Sequence, residues 1–163
     1  MLGLALVAVM SGCGKSPSPL SQPAADDSPV VAGGEPAGTT GAAAIDPCKL
    51  VSKLEAETLA GTPLDEPRPV RETCTYNGPV TGPTAQVEIF VGDGAKKFLD
   101  IDRTLDHQFT SLPGAGDEAY LEDGVAFVRK GGTWVSVRLV RLNDSAENRK
   151  PLEDLIRKVA TRI

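Results

Sequence analysis

The chain has 163 residues, 40% of them hydrophobic but only 4% aromatic, and a formal net charge of −5. That balance excludes the basic footprint of a nucleic-acid binder and a polybasic contact with anionic lipid. The length suits one domain of moderate size, with a core resting on Val, Leu, Ile and Ala rather than on rings.

Residues 2–9 form an apolar run that leads into Met10-Ser11-Gly12-Cys13. Small residues directly before a cysteine, at the end of such a run, are what lipoprotein signal peptidase reads. The expectation is a signal peptide over residues 1–12, cleavage before Cys13, a diacylglyceryl thioether on its sulfur and acylation of the new N-terminus. One acyl chain holds weakly and two or more hold stably. The first twelve residues contain no Lys or Arg, whereas a secretory signal opens with a basic region. The reading therefore expects a start upstream of Met1. The run is too short for a membrane span, which needs about 20 apolar residues. Beyond Cys13, residues 14–44 are Gly, Ser, Pro, Ala and Thr with scattered acids and no aromatic. Such a segment cannot bury enough apolar surface to offset its ordering entropy. Residues 13–44 are expected to be a disordered stalk with a mean reach on the order of 30 Å.

Residues 45–163 make the folded part. Of the three cysteines, lipid on Cys13 leaves Cys48 and Cys74, in a compartment where disulfides persist. They are expected to bond, with a stabilisation of ~3.5 kcal/mol in the chain-entropy model. A single His and no close Cys pair argue against a metal site, and no cofactor is expected.

Asp46-Pro47 reads as an N-cap and a first-turn proline, and Ser52 with Glu55 fits a capping box. One helical stretch is expected to about Ala60, stopped by Gly61, with Leu50, Leu54 and Leu59 as its apolar side. A strand over 70–76 carries Cys74. A turn-rich segment follows from Asn77 to Pro83. Residues 84–91 alternate, with Ala85, Val87, Ile89 and Val91 on one face. A second helix is expected over 95–107, on Phe98, Ile101 and Leu105. Short strands at 119–121 and 125–129 flank a Glu122-Asp123-Gly124 turn. Gly131-Gly132 makes a tight hairpin into a strand over 133–142. Its Val135, Val137 and Leu139 should face the core, leaving Trp134 partly exposed. Leu152, Leu155, Ile156 and Val159 mark a C-terminal helix with Pro151 in its first turn. The fold expected is a single small α+β domain: a mostly antiparallel sheet of about five strands, about three helices on one face, and one disulfide.

The segment 114–119 formally fits G-x-G-x-x-A, but a dinucleotide fingerprint needs a strand before it and a helix after it. Here a helix precedes and strands follow, so the glycines read as a backbone turn. His107 is the only histidine and no GxSxG elbow accompanies it. It reads as a helix-surface residue near a helix C-terminus. Asp102 and Asp106 share a helix face but lack calcium-loop spacing. Asp117 and Glu118 read as solvated loop acids. No catalytic set is identified. Trp134, Arg138 and Arg141 form the candidate interaction surface, since exposed Trp with Arg is an interface composition; the alternative is that Trp134 simply covers one edge of the core beneath a helix.

Ile45-Asp46-Pro47-Cys48 with Leu50, Cys74-Thr75-Tyr76, the segment from Leu112 to Ala119 and the Val-rich strand after Gly131-Gly132 resemble an actinobacterial lipoprotein family, domain of unknown function 3558. The resemblance spans nearly all of the chain beyond the stalk. It implies a Cys48–Cys74 pair and an actinobacterial cell surface, and it carries over no catalytic residue. The function expected is a lipid-anchored, non-enzymatic binding or interaction module on the extracytoplasmic face of the cell membrane. Its partners would be the membrane, through Cys13, and an envelope protein or ligand, with no nucleic acid. The alternatives are an envelope hydrolase using Asp117, Glu118 or His107, and a purely structural surface lipoprotein.

Overall fold

The computed structural model describes residues 45–163; the expected signal peptide, the lipidation expected at Cys13 and the expected stalk lie outside the described residues. Two short helices come first, α1 (Pro47–Leu50) and α2 (Lys53–Ala60). Asp46 caps α1 by accepting from the Cys48 amide, with Pro47 at the first helical position. Ser52 and Glu55 form the full capping box of α2. The single helix expected here is two, because Val51 is extended and Ser52 starts a new helix. The break also turns the chain. Leu59 is buried while Leu54 is 73% exposed, the reverse of an even apolar side.

A seven-stranded, fully antiparallel sheet follows, in the order β1-β2-β3-β7-β6-β5-β4. Its strands are β1 (Arg68–Val70), β2 (Thr73–Asn77), β3 (Ala85–Val91), β4 (Thr110–Ser111), β5 (Glu118–Glu122), β6 (Val125–Lys130) and β7 (Thr133–Arg141). Seven strands replace the expected five. The stretch read as one strand from Val70 is a hairpin, turned at Arg71 with φ of 52°, and β4 is a two-residue edge strand. Helix α3 (Asp93–Thr104) connects β3 to β4, and α4 (Ser145–Val159) closes the chain. Pro151 lies inside α4 rather than in its first turn, because Asp144 caps the helix further upstream.

Cys48 and Cys74 are disulfide-bonded, with Cα atoms 5.2 Å apart. The bond fastens α1 to β2. On that face α1, α2 and α4 pack over β2, β3, β6 and β7, and the core is aliphatic: Val87, Ile89, Val135, Val137, Leu152, Ile156 and their neighbours. Tyr76 is the one ring there, its hydroxyl donating to the Val51 carbonyl at 2.6 Å. The alternation expected for β3 and the aliphatic set of β7 is what the sheet buries.

The opposite face is not open, as helices on one side only would leave it. Helix α3 crosses it, packing on β3 and β7. Its buried residues are Ala95, Leu99 and Asp102, one helical stripe, and not the Phe98, Ile101 and Leu105 set. Ile101 and Leu105 are exposed. Strand β6 demands this second layer, since Val125 and Phe127 point away from the aliphatic core while Ala126 and Val128 point into it. Under α3, Val125, Phe127 and Trp134 join Ala95 and Leu99, with Phe90, Phe98, Phe109 and Tyr120 around them. Trp134 is 7% exposed, so of its two readings, a partly open ring or a ring covering the core beneath a helix, the structure bears out the second.

Candidate functional site

The residues expected to form an interaction surface do not converge. Trp134 is buried, with the Arg129 guanidinium 5.8 Å from its ring centroid. Arg138 bonds Glu88 at 3.2 Å and lies over Phe98, on the α3 face. Arg141 is three residues on, so alternation puts it on the other face, where its guanidinium lies beside Gly61. The Trp134–Arg138–Arg141 surface is therefore corrected: the ring serves packing and the two arginines serve different faces.

The loop acids are also engaged. Asp117 accepts from the Gly131 amide. Glu118 meets Arg103 and Arg129 and accepts from the Tyr120 hydroxyl. Gly116 has φ of 59° and a Cβ there would lie 2.5 Å from the Arg129 carbonyl oxygen. The G-x-G-x-x-A segment is thus a turn laid against the β6–β7 hairpin, and it leads into β5 rather than a helix.

His107 does not lie on a helix surface. Helix α3 ends at Thr104, and Asp106 takes φ of 57°. The His107 amide then donates to the Asp102 carbonyl at 3.2 Å, and the Asp106 amide to Arg103 at 3.4 Å. These are the two bonds of a Schellman stop, with an acid in the left-handed position that glycine usually takes. The stop folds His107 back over the last turn of α3, beside the Asp102 side chain. Asp106 leaves the helix at this point, so the shared Asp102–Asp106 face is not formed.

The third member comes from the sheet. On β5, Ala119 and Leu121 point into the aliphatic core, so Tyr120 and Glu122 point to the α3 side. Glu122 is the last residue of the strand, paired with Val125 across the Asp123-Gly124 turn. There its Oε1 lies 2.5 Å from His107 Nδ1, and Asp102 Oδ1 lies 3.9 Å from the same nitrogen. Asp102, His107 and Glu122 each place one donor atom within 4.8 Å of the others.

The electrostatics of this trio are unbalanced. Asp102 is 5% exposed and Glu122 7%. Asp102 Oδ2 and Glu122 Oε2 are buried with no hydrogen-bond partner among the described residues. Neither carboxylate has a Lys or Arg within ion-pair distance among the described residues; their one basic neighbour is His107, and the two acids also face each other. Burial pushes the Glu122 carboxyl above the usual carboxylate range and nearby Asp102 adds to the rise, against the pull of His107. A buried, unanswered carboxylate oxygen costs about 1–3 kcal/mol, so the arrangement does not stabilise the fold by itself. His107 is the half-exposed member and opens on a cleft of about 420 Å³ lined also by Asp106, Gln108, Asp123 and Arg149.

Sequence reasoning weighed His107 and Asp102 separately and missed Glu122. The available signals were the five-residue step from Asp102 to His107 across a helix stop, and the β5 alternation that sends Glu122 to the face of Tyr120. No family model, curated protein or solved structure matches the chain.

Proposed function

We propose that the protein is a lipid-anchored extracytoplasmic binding protein, tethered through Cys13 by a stalk over residues 14–44, with the α+β domain as its binding part. The observation that carries the anchor is the small-residue step Ser11-Gly12 directly before Cys13 at the end of an apolar run. The Cys48–Cys74 disulfide supports the compartment, because such bonds persist outside the reducing cytoplasm. It also leaves Cys13 as the one cysteine outside a disulfide.

Binding is favoured over hydrolysis by what surrounds His107. Asp117 and Glu118, the acids that a hydrolase was to use, are held in structural bonds away from the ring. The described residues lining the cleft include no Ser, Thr or Cys for His107 to activate. With Trp134 buried, the binding role passes from the β7 strand to this cleft.

The anchor is tested by fractionating cells that express the full chain and its Cys13→Ser variant. The wild type is expected in the membrane fraction, with an N-terminal peptide whose mass carries acyl chains. Cys13→Ser is expected in the soluble fraction. Membrane retention of Cys13→Ser, or an unacylated Cys13 in the wild type, would sink the proposal.

A further inference from the structure

We propose that Asp102, His107 and Glu122 form a binding site for a divalent first-row transition cation, of which zinc is the best fit. The inference stands on the geometry of the folded domain and is independent of the lipid anchor.

Three observations converge on it. The first is the donor set: two carboxylates and one imidazole, with donor atoms already within 4.8 Å of one another. Four-coordinate zinc with bonds of about 2.1 Å spaces its ligand atoms by about 3.4 Å. The 3.9 Å from Asp102 to His107 and the 2.5 Å from Glu122 to His107 bracket that spacing, so small side-chain rotations reach it. The second is burial without compensation. Two acids more than nine-tenths buried each keep an oxygen with no donor, and no Lys or Arg among the described residues pairs with either. A buried charge is normally paired or metal-bound, and a cation answers both carboxylates at once. The third is the backbone. Asp106 holds a left-handed conformation that suits glycine better, and that conformation is what returns His107 to Asp102. Strain of this sort gathers at ligand clamps.

The chemistry selects the class of cation. Imidazole suits zinc, copper, iron and nickel, whereas calcium and magnesium take oxygen sets. Three protein ligands are one short of the closed four-ligand set of a structural zinc site, and they leave a position open to the cleft. The cleft onto which the half-exposed His107 opens is the entry path, lined by the exposed acids Asp106 and Asp123 against the single guanidinium of Arg149.

The test uses the full chain in the Cys13→Ser background, which removes the only thiol outside the disulfide and with it any dependence on lipidation. Chelator-stripped protein is titrated with zinc chloride at neutral pH, followed by calorimetry and by the ring signals of His107, the only histidine in the chain. The expected result is one zinc per chain, a shift of both ring-carbon proton signals, and no displacement by excess magnesium or calcium. Glu122→Gln keeps the shape and removes a charge, and it is expected to weaken binding roughly tenfold or more, as is His107→Gln. Glu153→Gln, on α4, is expected to bind as the wild type does. Cobalt substitution should give visible absorption in the wild type that both site variants lose. If Glu122→Gln fails to fold, His107→Gln carries the comparison, since its side chain is half exposed. Zinc binding equal in His107→Gln and the parent, or ring signals indifferent to zinc, would overturn the proposal.

Discussion

The two faces of the sheet solve the burial problem differently. Beneath α1, α2 and α4 the core is aliphatic, its one ring hydroxyl is bonded, and the disulfide fastens α1 to β2. The acid on that side is answered: the Arg162 guanidinium bonds both oxygens of Glu55 at 2.6 and 2.8 Å and the Leu50 carbonyl at 2.6 Å. On the α3 side stand all four Phe, one of them on the helix itself, with the Trp and one of the two Tyr, covered by a single helix. There the buried acids Asp102 and Glu122 have only a histidine. One face is built for stability. The other spends stability at one corner, which is where a binding function is expected to reside.

Removing the central residue of each face separates the two roles most strongly. Phe127→Ala should cost about 4 kcal/mol and Ile156→Ala about 3 kcal/mol, measured by urea denaturation with the disulfide intact. Only Phe127→Ala should also shift the His107 ring signals, because Phe127 underlies the α3 layer that carries the site. A shift of equal size in Ile156→Ala would show that the faces are coupled.

The acid limb of stability belongs to the α2–α4 side. The Arg162 guanidinium holds the Glu55 carboxyl down to about 2 from an ordinary 4.5. A carboxyl with a depressed folded pKa stabilises fully above its unfolded value, and that stabilisation is lost as pH falls from about 4.5 towards 2. Both groups are partly exposed, so the amount is about 1 kcal/mol after screening. Glu55→Gln should flatten this part of the stability–pH curve. An unchanged acid limb in that variant would place the dependence elsewhere.

The smallest effect concerns the Schellman stop. Asp106→Gly relieves the left-handed strain and should stabilise the chelator-stripped protein by about 0.5 kcal/mol. The gain is read as a higher urea midpoint at unchanged slope. A loss instead would mean that the Asp106 side chain contributes more than its backbone costs.

Much of the fold was legible along the chain. The caps at Asp46 and Ser52, the buried alternation of β3, the Gly131-Gly132 hairpin and the apolar stripe of α4 are local patterns. Each depends on residues a few positions apart, and the structure keeps each of them. The Cys48–Cys74 bond was also expected, on the reading that lipid takes Cys13 and leaves these two to pair. The failures share a cause: they depend on what lies opposite. Trp134 alternates away from the aliphatic set, which suits either an open ring or one beneath a helix, and only the helix that covers the second face decides between them. Residues of α3 and its C-cap offer two stripes, one through Phe98, Ile101 and Leu105 and one through Ala95, Leu99 and Asp102, and only the sheet chooses between them. His107 looked solitary because Glu122 is brought to it by a strand with its own register.

Local chemistry along the chain determined the caps, the turns, the strand faces and the cysteines available to pair, because those choices are made by neighbouring atoms. Tertiary structure decided that α3 covers the second face, that Trp134 is core, and that Asp102, His107 and Glu122 meet. A buried cluster of charge exists only when separate elements bring its members together and exclude the water that would otherwise screen them.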